Sequence, residues 1–287
     1  MNGMTRAVLV LTAVLAWTQT GYQYYCTPST DNDPSTCTPV KQIPLRWYRT
    51  EVPVQLDQAL CADMTAQDAQ VAIRQSLQTW NAEACTHPRL VDLGLVSGKA
   101  PIVRVKGGEV GNDLIIFQNT QAEWLADKAG VNVNNVIALT TLFFDPSTGE
   151  ARSYALEMND WQYDFALLEK QGVPGGAVDL ENTLTHELGH VLALDHSESR
   201  GSTMFLSAPQ GEIAKRSLEE DDRTGLCSLY SEAYAEVNPD AEIGGGGDGC
   251  SSHPAGAPSV PLPLAPLLLA LAALATGRLR GHRPGNP

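Results

Sequence analysis

Basic side chains are scarce in this 287-residue chain, where 19 lysines and arginines stand against 33 aspartates and glutamates. Four of the basic residues, Arg6, Arg278, Arg280 and Arg283, sit at the extreme ends, so the stretch from 21 to 250 sets 33 acidic groups against 15 basic ones. A surface of that sign repels phosphate backbones and excludes a general nucleic-acid binder. Internal repeats are absent. No pair of the six cysteines has zinc-knuckle spacing, and Gln23, Tyr24 and Tyr25 before Cys26 do not form a lipoprotein box. What is present is an ordinary globular composition, 43% hydrophobic, which rules out wholesale disorder. The length leaves room for one large domain or two small ones.

Both ends differ from the middle. Arg6 precedes an apolar run from Ala7 to Trp17 and then polar residues, the pattern of a secretory signal peptide, taken here as residues 1–21. No small-x-small cleavage site marks the cut. At the other end, Gly244–Gly247 and Gly249 lead to Cys250, and a Pro-rich spacer leads to an apolar block, Leu262–Ala275, closed by three arginines. The block is short for a bilayer span, which needs about 20 residues, but positive charge directly after it follows the stop-transfer pattern. Glycine linker, cysteine, apolar segment and basic end together resemble the C-terminal sorting signals of secreted bacterial proteins, most closely the myxobacterial type anchored at the cysteine. A plain tail anchor is the alternative. Residues 237–260 are therefore read as linker and 261–287 as a sorting or anchoring tail outside the fold. Six cysteines in an exported chain suggest oxidised pairs; proximity favours Cys26–Cys37, with the connectivity left open.

Between a loop segment (22–42) and that linker, residues 43–236 read as one α/β (α+β) domain. β-like runs fall at Leu45–Tyr48, Val52–Leu56, Leu90–Leu95, Ile102–Val105, Leu114–Phe117, Ala138–Phe144 and Tyr154–Met158. Thr65, with Asp68 three residues on, starts a helix whose buried stripe is Ile73, Leu77, Trp80 and Ala84. Asp145-Pro146-Ser147-Thr148-Gly149 is a turn. Ser217 with Glu220 forms a capping box for a closing helix from Leu218 to Tyr230. Asp221 and Asp222 on that helix read as a solvated acidic face, with a hydrogen bond from one of them to the preceding turn as the alternative. The expected architecture is a twisted, mostly parallel sheet, two long helices and a small C-terminal subdomain holding the closing helix.

The chemistry is concentrated between His186 and His196, which read H-E-L-G-H-V-L-A-L-D-H. His186 and His190 are four apart and present both imidazoles from one helical face. Neutral imidazoles suit Zn²⁺, which catalytic sites hold with three protein ligands and one open position. Glu187 lies one residue round the helix, positioned to act on water without being a ligand. His196 joins the other two only if the chain turns sharply after about Leu192. With six histidines in the chain, this three-histidine spacing arises by chance on the order of once in ten thousand sequences. Helix histidines with no metal role are the alternative it displaces.

H-E-x-x-H-x-x-G-x-x-H followed by a methionine turn is the metzincin signature. This chain resembles that group through His186, Glu187, His190, His196 and Ser202-Thr203-Met204. It is most similar to the matrixins, especially compact bacterial ones, through Asp195, Trp80-Asn81 and the Leu139-Thr140-Thr141 to Gly149 stretch. The resemblance implies the metzincin catalytic fold from about Ile43 to Tyr234, one catalytic Zn²⁺ on His186, His190 and His196, and Glu187 as general base. It implies protein or peptide substrates that add as a strand near Tyr154–Met158, with the loop Phe205–Lys215 lining the pocket. The family's glycine is Ala193 here, so a strained left-handed turn is expected there. No pro-segment with a cysteine switch is visible. Calcium (Ca²⁺) is left unassigned, because an acidic excess more often solvates a surface. The expected protein is a monomeric, secreted or surface-anchored zinc metalloendopeptidase. A non-catalytic zinc-bearing adhesion module, or a zinc hydrolase acting on an ester or cell-wall link, are the competing readings; retention of Glu187 argues against the first.

Overall fold

The computed structural model describes residues 43–60, 64–85, 88–105, 108–126, 133–169, 176–230 and 265–273. The signal segment, the linker and Cys26, Cys37, Cys61 and Cys250 lie outside them. Strand β1 (Glu51–Asp57) buries Val52, Val54 and Leu56 by simple alternation. Helix α1 (Ala66–Asn81) begins where Thr65 accepts the Asp68 N–H at 3.1 Å, and it buries Ile73, Leu77 and Trp80. Ala84, expected to continue that stripe, is exposed, because the helix stops at Asn81. The Asn81 side chain donates to the Leu90 carbonyl at 2.8 Å and accepts the Leu90 N–H at 3.0 Å. It thus imitates a strand neighbour and steers the chain into β2 (Arg89–Val96).

Strands β3 (Ile102–Val105) and β4 (Gly108–Gly111) pair as a separate hairpin. β5 (Leu114–Phe117) returns to the main sheet, and a single short helix, α2 (Gln121–Leu125), opens on a capping box between Thr120 and Glu123. β6 (Val136–Phe144) is buried at every position, and β7 (Ala151–Met158) follows the Asp145–Gly149 turn. Within that turn the Ser147 N–H bonds Asp145 Oδ1 at 2.9 Å. Gly149 takes φ +74°, and a Cβ there would lie 2.6 Å from the Pro44 carbonyl oxygen. The short strands β8 (Phe165–Ala166) and β9 (Val178–Asp179) lead into helix α3 (Leu180–Val191). β10 (Ser207–Ala208), a 3₁₀ turn (Ala214–Arg216) and helix α4 (Glu220–Tyr230) come next, and β11 (Ala265–Ala273) is the last element.

The main sheet has the order β10-β11-β6-β7-β5-β1-β2. β1 with β2, β1 with β5, β5 with β7 and β10 with β11 run parallel, while β6 runs against both its neighbours. The mixed, mostly parallel sheet and its two long helices agree with the expectation. Helix α1 packs on α3 through polar as well as apolar contacts: the Trp80 indole donates to the Thr185 carbonyl at 2.7 Å and Ser76 Oγ to the Glu181 carbonyl at 3.2 Å. Cys85, beyond the end of α1, is bonded to Cys227 on α4 across 142 positions.

Two expectations need correction. Leu45–Tyr48 is no strand; it makes one parallel bridge, Arg46 to Glu150, while the Trp47 indole donates to the Val191 carbonyl at 2.6 Å and draws the segment to the end of α3. Ser217 does not cap α4: its hydroxyl donates to the Ala214 carbonyl, and Asp222 Oδ2 takes the Glu219 N–H at 2.9 Å instead. The described part of the C-terminal tail, Ala265–Ala273, pairs with β6 and β10 as β11. Ala265–Ala273 is an uncharged run with unpaired backbone groups, and it satisfies them on β6 and β10.

Candidate metal centre

Helix α3 is buried along all twelve residues although seven of them, from Glu181 to His190, are polar or charged. Such a helix needs partners for every group. Asp179 caps it, accepting the Asn182 N–H at 2.7 Å, and its carboxylate is pinned by the Arg216 guanidinium and the Leu168 N–H. Thr183 and Thr185 donate back to carbonyls one turn earlier. Asn182 accepts the Lys215 N–H at 2.7 Å. The groups left facing inward are those of His186, Glu187 and His190.

The helix ends at Leu192 with Ala193 at φ +66°, the left-handed conformation anticipated for this departure from the glycine pattern. The Ala193 N–H bonds the His190 carbonyl at 2.9 Å and the Leu194 N–H bonds the Gly189 carbonyl at 3.0 Å, a Schellman pair. That turn carries the chain back so that the Leu194 carbonyl lies 2.8 Å from His190 Nδ1. It also brings His196 against the helix: His190 Nε2 and His196 Nε2 are 3.2 Å apart, and one nitrogen from each of the three imidazoles lies within 4.8 Å of the others.

Beneath them, the Ser197 N–H bonds the Met204 carbonyl at 2.8 Å and closes the loop that holds Thr203 and Met204. The Thr203 carbonyl stands 2.6 Å from His186 Nδ1. A carbonyl only accepts, so Nδ1 carries the proton and the lone pair of His186 is on Nε2, which is buried and has no protein partner. Met204 is buried with its sulfur over Gly189, where a Cβ would come to 2.3 Å from Sδ and 2.8 Å from the Trp80 ring. Gly189 is thus a requirement of the methionine turn, and a glycine in the interior of the motif helix is the sequence feature that could have marked it.

Burial holds His186 and His190 well below the usual imidazole range and takes His196 down to about 4, with the Lys215 ammonium adding to the effect in each. All three rings are therefore neutral at physiological pH. Glu187 Oε2 accepts from the Thr140 hydroxyl at 2.6 Å, while Oε1 is buried without a protein partner. Desolvation pushes this carboxyl up to about 8, against the pull of the Thr140 hydrogen bond and of Lys215. Lys215 is itself brought down to about 8 by burial; its ammonium donates to the Phe205 carbonyl.

These residues fit a divalent zinc ion. Three neutral imidazoles converge, one with an orphaned nitrogen, and the 3.2 Å separation of two of them matches the edge of about 3.3 Å between tetrahedral zinc ligands. Among the described residues no second group of three His, Cys, Asp or Glu side chains converges.

Residues 116–231 match the family model for matrixins. This segment is matrixin-like. Relatives include Metalloendoproteinase 4-MMP of Arabidopsis thaliana, 35% identical over 101 residues, and Matrix metalloproteinase-25 of Homo sapiens, 43% identical over 61 residues. Those alignments take in 35% and 21% of this chain, and 28% and 11% of the respective relatives. The chain therefore covers less than a third of either relative. The matrixin family implies zinc, and the histidine triad sits inside the matched segment.

The acidic pair on α4 takes the less favoured of its two sequence readings. Asp222 is buried, not solvated: Oδ2 accepts the Thr203 N–H at 2.8 Å and Oδ1 the Met204 N–H at 3.0 Å. Asp221, beside it, accepts from the Ser197 hydroxyl at 2.5 Å. The strand-adding edge is also elsewhere than expected. β7, with Tyr154–Met158, is paired on both sides, by β5 and by β6. The strand next to the site is β6, which carries Thr140 and is paired with β7 on one side and with β11 on the other.

Proposed function

We propose that this protein is a secreted or surface-anchored zinc metalloendopeptidase that hydrolyses internal bonds of protein substrates. The observation that carries the reading is the pairing of three converging imidazoles with a buried carboxylate oxygen, Glu187 Oε1, that no protein group satisfies. Zn²⁺ held by His186, His190 and His196 would supply Lewis-acid polarisation of the scissile carbonyl and of the attacking water. Glu187 Oε1 accepts the proton released by that water and delivers it to the leaving amine. Thr140 fixes the other carboxylate oxygen, so the free one keeps its aim. The elevated proton affinity of Glu187 suits a group that must both take and return a proton. A purely structural or adhesive zinc site has no use for this carboxylate beside its histidines.

Export is supported by the apolar N-terminal run and by the Cys85–Cys227 bond, which persists in an oxidising compartment. Among the described residues no helix is long and apolar enough to cross a membrane. Anchoring would fall to the C-terminal tail, and a monomer with one metal ion is the proposed unit.

The test is cleavage of unfolded casein by the full chain, before and after a specific cut introduced between Gly247 and Asp248, with zinc content measured beside it. The expected outcome is one zinc per chain and chelator-sensitive cleavage, with Glu187→Gln retaining zinc but losing turnover by 100-fold or more, roughly the general-base contribution. Unchanged cleavage in Glu187→Gln would falsify the mechanism.

A further inference from the structure

β11 lies between the two segments that build the site. On one side it pairs antiparallel with β6, with Leu269 opposite Thr140 and Leu268 opposite Thr141. On the other it pairs parallel with β10, Ser207 to Ala272 and Ala208 to Ala273, three residues after the methionine of the metal turn. Thr140 is the residue whose hydroxyl holds Glu187. The middle of β11 therefore crosses the sheet at the level of the catalytic carboxylate.

An extended substrate binds a sheet edge by completing its ladder of N–H and C=O groups. Apart from β11 and the two-residue β10, the sheet ends at β2 on one side and at β6 on the other, and only β6 touches the site. The main-chain groups a substrate would use on β6 are those that β11 already uses, from Val136 to Phe144. Tail and substrate cannot both have them.

We propose that residues 265–273 are an intrachain occupant of the substrate groove, a strand that blocks the active site until it is withdrawn. The proposal deepens the peptidase reading and rests on it. The occupant is named by the structure and not inferred from an empty face. Its uncharged sequence, APLLLALAA, suits a strand that trades solvent for main-chain pairing. The occupant is tethered to the same chain, so dilution does not release it, and effective concentrations for such tethered ligands run to about millimolar. Withdrawal needs a competing environment for an apolar segment, such as a lipid surface, or a cut upstream of it. A chain held by its tail at a membrane would then have a free groove, and the same chain with its tail home would not.

The experiment uses the full, zinc-loaded chain carrying Glu187→Gln, so that nothing is cut while binding is read. Two observables are followed: amide hydrogen exchange across 136–144 and 265–273, and binding of a fluorescent extended casein peptide. The second chain adds Leu268→Pro and Leu269→Pro, which removes two consecutive N–H groups and with them the one that points to the middle of β6. A third has a specific protease site between Gly247 and Asp248, compared before and after cutting. In the parent, the amides of 265–273 are expected to be protected at least 100-fold over an unstructured peptide. The proline chain and the cut chain are expected to lose that protection and to bind the casein peptide at least 10-fold more tightly. Exchange of 265–273 at unstructured rates in the parent, or peptide affinity unchanged by both releases, overturns the proposal. Both readouts are independent of turnover. If release opens the groove while the corresponding wild-type chain still cuts nothing, the peptidase reading fails and the blocking strand stands.

Discussion

Ala193 holds a position that glycine fills at little cost. Its φ of +66° places Cβ against the following carbonyl, a penalty of about 1–2 kcal/mol. The penalty is tolerated because the turn is tied on both sides, by the two Schellman hydrogen bonds and by the Leu194 carbonyl bound to His190. Ala193→Gly removes the strain but also loosens the unfolded chain, which offsets about 0.5–1 kcal/mol. The net expectation is a stabilisation of up to about 1 kcal/mol, a rise of about 2–4 °C in melting temperature, with zinc affinity unchanged. A lower melting temperature would mean that the Ala193 methyl, which is buried in the core, contributes more by packing than it costs in strain. Gly189 is the converse. Its conformation is ordinary, and what forbids a side chain there is the Met204 sulfur and the Trp80 ring.

At the scale of elements, the site depends on an acidic helix start that binds backbone. Asp222, on α4, gathers the N–H groups of Thr203, Met204 and Glu219 on one carboxylate. Burial raises its pKa while these three hydrogen bonds pull the other way. Through Thr203 the carboxylate also fixes the carbonyl that orients His186. Asp222→Asn keeps the shape but turns an amide N–H₂ toward at least one N–H donor. A loss of about 2 kcal/mol in stability is expected, with zinc affinity weakened about 10-fold because an orienting partner of a ligand is disturbed. Isothermal titration of the metal-free variant with zinc reads the second effect; loss of stability with unaltered affinity would separate Asp222 from the metal centre. This contact also shows where the sequence stopped being legible. The H-E-x-x-H pair, the α1 cap at Thr65, the turn at Asp145–Gly149 and most strands depend on neighbours a few residues away, and all were readable. Asp222 to Thr203, Thr140 to Glu187 and β11 to β6 join residues far apart in sequence, where periodicity carries no information. The edge assigned to Tyr154–Met158 failed for the same reason: alternation marks a strand but not its neighbours.

At the scale of the whole molecule, a covalent link among the described residues ties these pieces together. Cys85–Cys227 closes a loop of 142 positions between the end of α1 and α4. Chain-entropy reasoning assigns such a loop up to about 5 kcal/mol, and 2–4 is the usual yield. Its consequence reaches the metal because α4 is the helix that brings Asp222 to the methionine turn, and because Tyr230 at its end donates to the Leu192 carbonyl at 3.0 Å, beside the Ala193 turn. Zinc and the disulfide should then be coupled and not independent. Bound metal at 1,000 times its dissociation constant adds about 4 kcal/mol to the folded state, provided the site is intact. Cys85→Ser with Cys227→Ser leaves that helix held only by packing and by its hydrogen bonds, so the domain is expected to lose about 3 kcal/mol and bind zinc more weakly. A double cycle of melting temperatures, with and without the cysteine pair and with and without zinc, measures the coupling. The shift produced by zinc should shrink in the serine chain. Equal shifts in both chains would mean that the disulfide stabilises the fold globally and that the methionine turn keeps its shape without it.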